Sequence, residues 1–120
     1  MTKYTVTHLD AQFATPDIES VYFFAHAGRS LKPVGILTLE IDEPAALIRT
    51  LLVDPEHRGK GIGTLLLEAA FGRARRVLKE TCGLWLHDDN EGAERLYRKH
   101  GFVKYMTNGV AGYTQYIKIL

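Results

Sequence analysis

This chain has almost no cysteine, no long apolar run and no excess of charge of either sign, and each shortage removes a class of protein. A single cysteine, Cys82, cannot close an intrachain disulfide, so the fold does not lean on an oxidising compartment. No segment reaches the roughly 20 consecutive apolar residues of a membrane span, and the opening Met1-Thr-Lys-Tyr-Thr-Val-Thr-His has no apolar stretch of signal-peptide length. With 15 basic and 14 acidic residues the net charge is +1, which gives no global attraction to nucleic acid or an anionic bilayer. Any basic patch must be local. His87-Asp88-Asp89 gathers metal-ligand types, yet no His-x-x-x-His pair and no second cluster accompany it, so no metal is expected. The Gly-x-Ser-x-Gly nucleophile elbow is missing, and Cys82, placed at a helix end where the dipole raises its pKa, is a poor thiolate. Together these absences predict a soluble cytoplasmic protein without nucleic-acid or membrane partners.

What is present suits one globular domain over residues 1–120: 46% hydrophobic and 24% charged, enough for a single core. The apolar period changes along the chain. Residues 3–9 alternate and predict a strand, and residues 10–17 form a polar, proline-containing connection. Residues 21–26 and 34–41 predict a hairpin about the turn at 28–33. Glu43-Pro44 breaks the chain, and residues 45–53 make the next strand, ending at Asp54-Pro55. From Ile62 onward Leu65, Leu66, Ala69, Ala70, Val77 and Leu78 recur at helical spacing. Gly83 resets the chain, residues 84–87 form a short buried strand, a helix follows Asn90, and residues 103–106 and 113–120 make a hairpin around 108–112.

The strongest chemical signal is the turn between strand and helix, Val53-Asp-Pro-Glu-His-Arg58-Gly59-Lys60-Gly61-Ile62-Gly63-Thr64. Alternating glycines let the backbone approach a ligand, and the helix that starts there offers unpaired amides and the positive end of its dipole to a pyrophosphate. Arg58 and Lys60 stand beside those amides as phosphate contacts. The spacing excludes two familiar nucleotide sites. A P-loop needs a lysine directly before Ser or Thr, and Lys60 comes too early; the dinucleotide fingerprint needs Gly-x-Gly-x-x-Gly, and the third glycine here, Gly63, falls one residue short.

Arg58-x-x-Gly61-x-Gly63 after the strand-like Leu51-Leu52-Val53 resembles the acyl-coenzyme A loop of the GNAT superfamily of N-acetyltransferases. A second segment, Asn90-x-x-Ala93-x-x-Leu96-Tyr97-x-x-x-Gly101-Phe102, resembles that superfamily's other signature with every fixed position filled. Its residue types also make local sense. Asn90 is a good helix N-cap, Ala93, Leu96 and Tyr97 share one face, and Gly101 stands where a left-handed C-cap residue belongs.

The resemblance covers roughly residues 33–120. It implies an α/β fold with a mixed, mostly antiparallel sheet of six to seven strands, elements in the order β, β, β, β, α, β, α, β, β, and helices on both faces. Residues 45–53 and 84–87 would splay into a V that admits acetyl-coenzyme A, whose pantetheine arm would pair with the backbone of Leu51, Leu52 and Val53, while Gly59, Gly61, Ile62, Gly63 and Thr64 cradle its pyrophosphate. Tyr97 matches the tyrosine that acts as general acid in many members, and a backbone N–H near Leu52 or Val53 would meet the oxyanion. The acceptor implied is a primary amine. A lysine must lose roughly 4 to 5 kcal/mol worth of protonation at pH 7 and an α-amine only about 1 before it can attack.

This chain departs from the family in two places. Where many members carry a glutamate before the loop, it has Arg49 and Thr50, leaving Glu40 and His87 as candidate bases, directly or through a water. Residues 10–20 leave space for only a helical turn or two, which implies an open, shallow acceptor side and makes a homodimer plausible. Asn90 and Tyr97 are also candidate cofactor contacts, Asn90 by ordering cofactor or water, and each assignment has a plainer competitor: Tyr97 as a core aromatic, Asn90 as an N-cap alone, Glu40 as a solvated strand residue and His87 as packing. A non-catalytic acyl-coenzyme A binding module of the same fold remains the alternative function.

Overall fold

Alternating apolar residues over 19–27 and 33–41 fold as strands that bury about every second side chain. The computed structural model describes residues 2–12, 18–106 and 112–120. Over them β1 (Tyr4–Gln12), β2 (Glu19–Ala27), β3 (Pro33–Ile41) and β4 (Ala46–Val53) make an antiparallel meander. A single turn of 3-10 helix, Pro55–His57, leads into α1 (Ile62–Arg76), followed by β5 (Thr81–His87), α2 (Glu91–Lys99), β6 (Val103–Met106) and β7 (Tyr113–Ile119). One sheet results, in the order β1-β2-β3-β4-β5-β7-β6, with β4 and β5 as its parallel neighbours. The element order and the mixed, mostly antiparallel sheet are as expected.

Placement of the helices differs from expectation. The connections β4-α1-β5 and β5-α2-β6 step the same way across the sheet, and right-handed crossovers then put both helices on one face. Contacts agree. A Cβ on Gly35 would lie 3.1 Å from Ile62 and 3.2 Å from Leu66, so α1 rests on that face of β3. The register carries the same face from Leu39 through Ile48 and Leu84 to Tyr116, and the Arg98 guanidinium of α2 lies 5.7 Å over the Tyr116 ring. Helices on both faces is therefore corrected: among the described residues both α-helices cover one face, and none covers the other.

Beneath α1, Leu66, Leu67, Ala70, Phe71 and Ala74 meet Val21, Phe23, Leu37, Leu39 and Ile48 in a closed core. Each large side chain buried there contributes about 1.5–3 kcal/mol. In the segment expected to hold a helical turn, the residues described at its two ends are strand, with Asp10, Ala11 and Gln12 paired to Val21, Ser20 and Glu19; the expected turn falls on residues 13–17, which lie outside the described residues. Arg73 of α1 ties this end down through Asp10 at 3.0 Å and Glu19 at 3.8 Å. The expected turn at 108–112 falls largely on residues 107–111, also outside the described set.

Candidate active site

Two neighbouring strands part company. β4 and β5 pair over three positions, Ala46 with Cys82, Leu47 with Gly83 and Ile48 with Leu84. A bulge ends the pairing: Thr38 faces Thr50 while Leu39 faces Ile48, which leaves Arg49 as the extra residue and adds local twist. Beyond it Leu51, Leu52 and Val53 stay bonded to β3, and Trp85, Leu86 and His87 to β7. Among the described residues their facing edges have no strand partner. Such a wedge can receive an extended, amide-bearing chain as though it were an added strand.

At the end of β4 the chain turns through Gly59 (φ 73°) and Gly61 (φ 81°), left-handed values that a side chain tolerates poorly. A Cβ at either would meet nothing within 4 Å, so these glycines serve the path of the turn and leave space beside it. Gly61 caps α1 without a side-chain acceptor, and the first intrahelical bond runs from Leu65 to Gly61. The amides of Ile62, Gly63 and Thr64 are thus the helix's unpaired donors. No acidic residue sits in this turn of helix to compete for them. Arg58 folds back so that its Nε donates to the Val53 carbonyl at 3.1 Å, and Tyr4 steadies the turn through a 3.1 Å bond between its hydroxyl and His57 Nδ1.

α2 starts at Asn90, whose Oδ1 accepts the Ala93 N–H at 3.1 Å, the N-cap role expected of it. It ends as expected at Gly101 (φ 92°), with Gly101 N–H on Arg98 and Phe102 N–H on Tyr97. Within it Tyr97 is buried, 6% exposed, and burial pushes its pKa from 10.0 up to about 12. Its phenol remains protonated at any pH near neutral. Cys82, in the first pairing of β4 with β5, is likewise pushed up to about 12 by burial, so it is an interior strand residue and not the expected helix-end thiol.

Residues 2–102 match the acetyltransferase (GNAT) family. The chain belongs to that family. A 71-residue stretch is 34% identical to a mycothiol acetyltransferase of Stackebrandtia nassauensis, covering 59% of this chain and 23% of that one. Over 78 residues it is 33% identical to an uncharacterized N-acetyltransferase of Methanocaldococcus jannaschii, covering 59% of this chain and 34% of that one. The chain thus spans about a quarter to a third of these curated relatives. Among solved structures, the PaiA N-acetyltransferase of Thermoplasma acidophilum, in complex with coenzyme A, superposes with a TM-score of 0.76 at 27% identity, over 87% of this chain and 62% of that one. An acyl-CoA N-acyltransferase fold from Klebsiella pneumoniae reaches a TM-score of 0.79 at 20% identity, over 98% of this chain and 97% of that one.

Several residues of this GNAT chain have structural duties that bear on their expected roles. A Cβ on Gly63 would stand 3.0 Å from Leu96, so its bareness lets α1 and α2 touch. The Thr64 hydroxyl lies 3.1 Å from His100 Nε2 and joins the same helices. Glu40 is held by Arg49 at 2.9 Å, on the face opposite the helices. His87, half-exposed on that face, packs edge-on against Tyr113 at 5.0 Å, and its Nδ1 accepts the Asp89 N–H at 3.2 Å. The neutral ring therefore carries its proton on Nε2. A cavity of about 270 Å³ lies beyond α2, lined by Leu86, His87, Asp88, Glu94, Lys104, Thr114 and Tyr116, without a residue of β4 or the glycine turn. No helix among the described residues is long and apolar enough to cross a membrane.

Proposed function

We propose that this GNAT chain moves an acetyl group from acetyl-coenzyme A to a primary amine by direct attack. One observation carries the reading: the free edges of β4 and β5 open beside a glycine turn whose helix amides await an anion. The pantetheine would lie along Leu51, Leu52 and Val53, and the pyrophosphate over Gly59, Gly61 and the amides of Ile62 to Thr64, with Lys60 and the outer guanidinium nitrogens of Arg58 adding charge.

The amine nitrogen attacks the thioester carbonyl, the C–S bond breaks, and the thiolate must gain a proton while the amine loses one. Tyr97 is the donor to sulfur in this scheme. Burial makes the Tyr97 phenol a weak acid, which keeps its proton in place until charge develops on the departing sulfur. For the base, His87 suits better than Glu40, whose carboxylate is engaged by Arg49. To accept at Nε2, His87 must exchange its bond from the Asp89 N–H for an Nδ1–H directed at the Asp89 carboxylate, now 3.7 Å away. An α-amine acceptor asks least of this base, since about one part in six is already neutral at pH 7. The open acceptor side favours a peptide or protein amine, and the lone reduced cysteine suits a cytoplasmic setting.

Thiol release from acetyl-coenzyme A over a panel of amines and peptides tests the proposal. Cys82 adds no background, being buried and poorly ionised. Release with matching acetylation of an amine supports it; cofactor binding with no acetylated product from any acceptor would replace it with the acyl-coenzyme A binding module.

A further inference from the structure

The face of the sheet away from the helices is built like an interface. The strand registers assign it Leu9 from β1, Phe24 from β2, Ile36 from β3, Leu47 and Leu52 from β4, and Trp85 from β5, with Ile117 and Ile119 continuing it along β7. Leu9 is 59% exposed, Leu52 63% and Ile119 79%. Charge is nearly absent from it: the carboxylate of Glu40 on this face is neutralised by its own neighbour Arg49. Phe24, Ile36 and Leu52 stand side by side as an apolar row over three strands, and the residues between the other apolar side chains are mostly uncharged, among them Tyr22, Thr38, Thr50 and Gln115. Exposed apolar side chains occur singly on most proteins, whereas such a grouping marks a contact surface.

We propose that this face is covered by a second copy of the chain, the two sheets packing face to face about a two-fold axis. Six of the strands are seven to nine residues long and β6 four; at about 3.3 Å per residue and about 4.8 Å between strands they give the sheet a footprint of roughly 800 Å². That is the share each partner contributes to a standard stable interface, about 800 Å². An isologous contact needs a surface complementary to itself, and a row-patterned apolar face with its ion pair satisfied internally meets that need without leaving a buried charge unpaired. Since Trp85 and His87 border the wedge on this face, the second copy would also wall the acceptor side that the first leaves open. The proposal rests on the fold and not on acetyl transfer, so sedimentation decides the one and thiol release the other.

Trp85 is the chain's only tryptophan and lies on this face, 38% exposed, which makes it a built-in reporter. Sedimentation equilibrium is paired with acrylamide quenching of its fluorescence across a dilution series. A particle of twice 13.5 kDa is expected, with Trp85 shielded in the dimer and quenched on dilution. Thr38→Lys, which places a charge mid-face without removing an apolar group, should weaken association about a hundredfold or more with unchanged circular dichroism. Leu78→Lys, at the far end of α1, should leave it unaltered. A single-copy mass up to about 1 mM, or a dimer whose Trp85 stays freely quenched, overturns the proposal. Should Thr38→Lys not fold, the wild-type quenching series alone decides, with shielding in support and free quenching against.

Discussion

Phe102 donates its backbone N–H to the Tyr97 carbonyl at 3.1 Å and sets its ring edge-on to the Tyr97 ring at 5.5 Å. The C-terminal cap of α2 therefore fixes the orientation of the proposed acid. Removing only the hydroxyl, Tyr97→Phe keeps this packing, so stability should hold while turnover falls about 100-fold and acetyl-coenzyme A affinity stays as it was. Steady-state kinetics with a binding isotherm checks it. Unaltered turnover would remove Tyr97 from the chemistry.

The two helices end with the same motif, filled by opposite residue types. After α1, Leu78 N–H bonds Arg75 and Lys79 N–H bonds Ala74; after α2, Gly101 and Phe102 do likewise with Arg98 and Tyr97. Leu78 thus holds φ 63°, with its side chain 87% exposed. Leu78→Gly should stabilise the fold by about 0.5–1 kcal/mol, since it relieves a left-handed leucine at little cost in burial. Gly101→Ala should destabilise by about 1–2 kcal/mol from its left-handed backbone alone (φ 92°), since the one close neighbour of a Cβ there, Lys118 Nζ, is the end of a flexible side chain that can move aside. Urea unfolding of both variants reads the two signs.

Acid should loosen the clamp between the helices. Burial lowers the pKa of His100 below 6.5, against the raising effect of Glu68, whose Oε1 lies 3.7 Å from Nδ1; Lys99 and Lys118 add to the lowering. The unfolded chain then takes up a proton before the folded one does. Stability present above about pH 6.5 is accordingly lost as pH falls through the folded value. Melting temperatures from pH 7.5 to 5 should decline more steeply in the wild type than in His100→Gln; equal slopes would discount His100.

Much of this was legible because local signals agree with tertiary needs. The Asn90 cap, the Gly101 cap and the alternation of Val34 to Ile41 each specify their element without help from the rest of the chain. The bulge was missed although its trace is present. Inward residues of β4 step Ala46, Ile48, Leu51, Val53, and the step of three marks the place where Arg49 is extra and the wedge begins. Helix placement was harder to see, because the side taken by α2 follows from β7 inserting between β5 and β6, a long-range pairing without a local sequence mark. Gly63 shows the limit of motif reasoning: its glycine sits in a phosphate-type pattern, yet its bareness also serves Leu96.

The most direct test of the wedge and glycine turn as an acyl-coenzyme A site is thermal unfolding of wild type and Gly61→Ala with and without acetyl-coenzyme A. At 100 times its dissociation constant the ligand should add about 2.7 kcal/mol to the wild type, a rise of several degrees. Gly61→Ala, strained at φ 81°, should begin less stable and gain less from the same ligand concentration. A wild-type midpoint that does not move at saturating ligand would contradict the site.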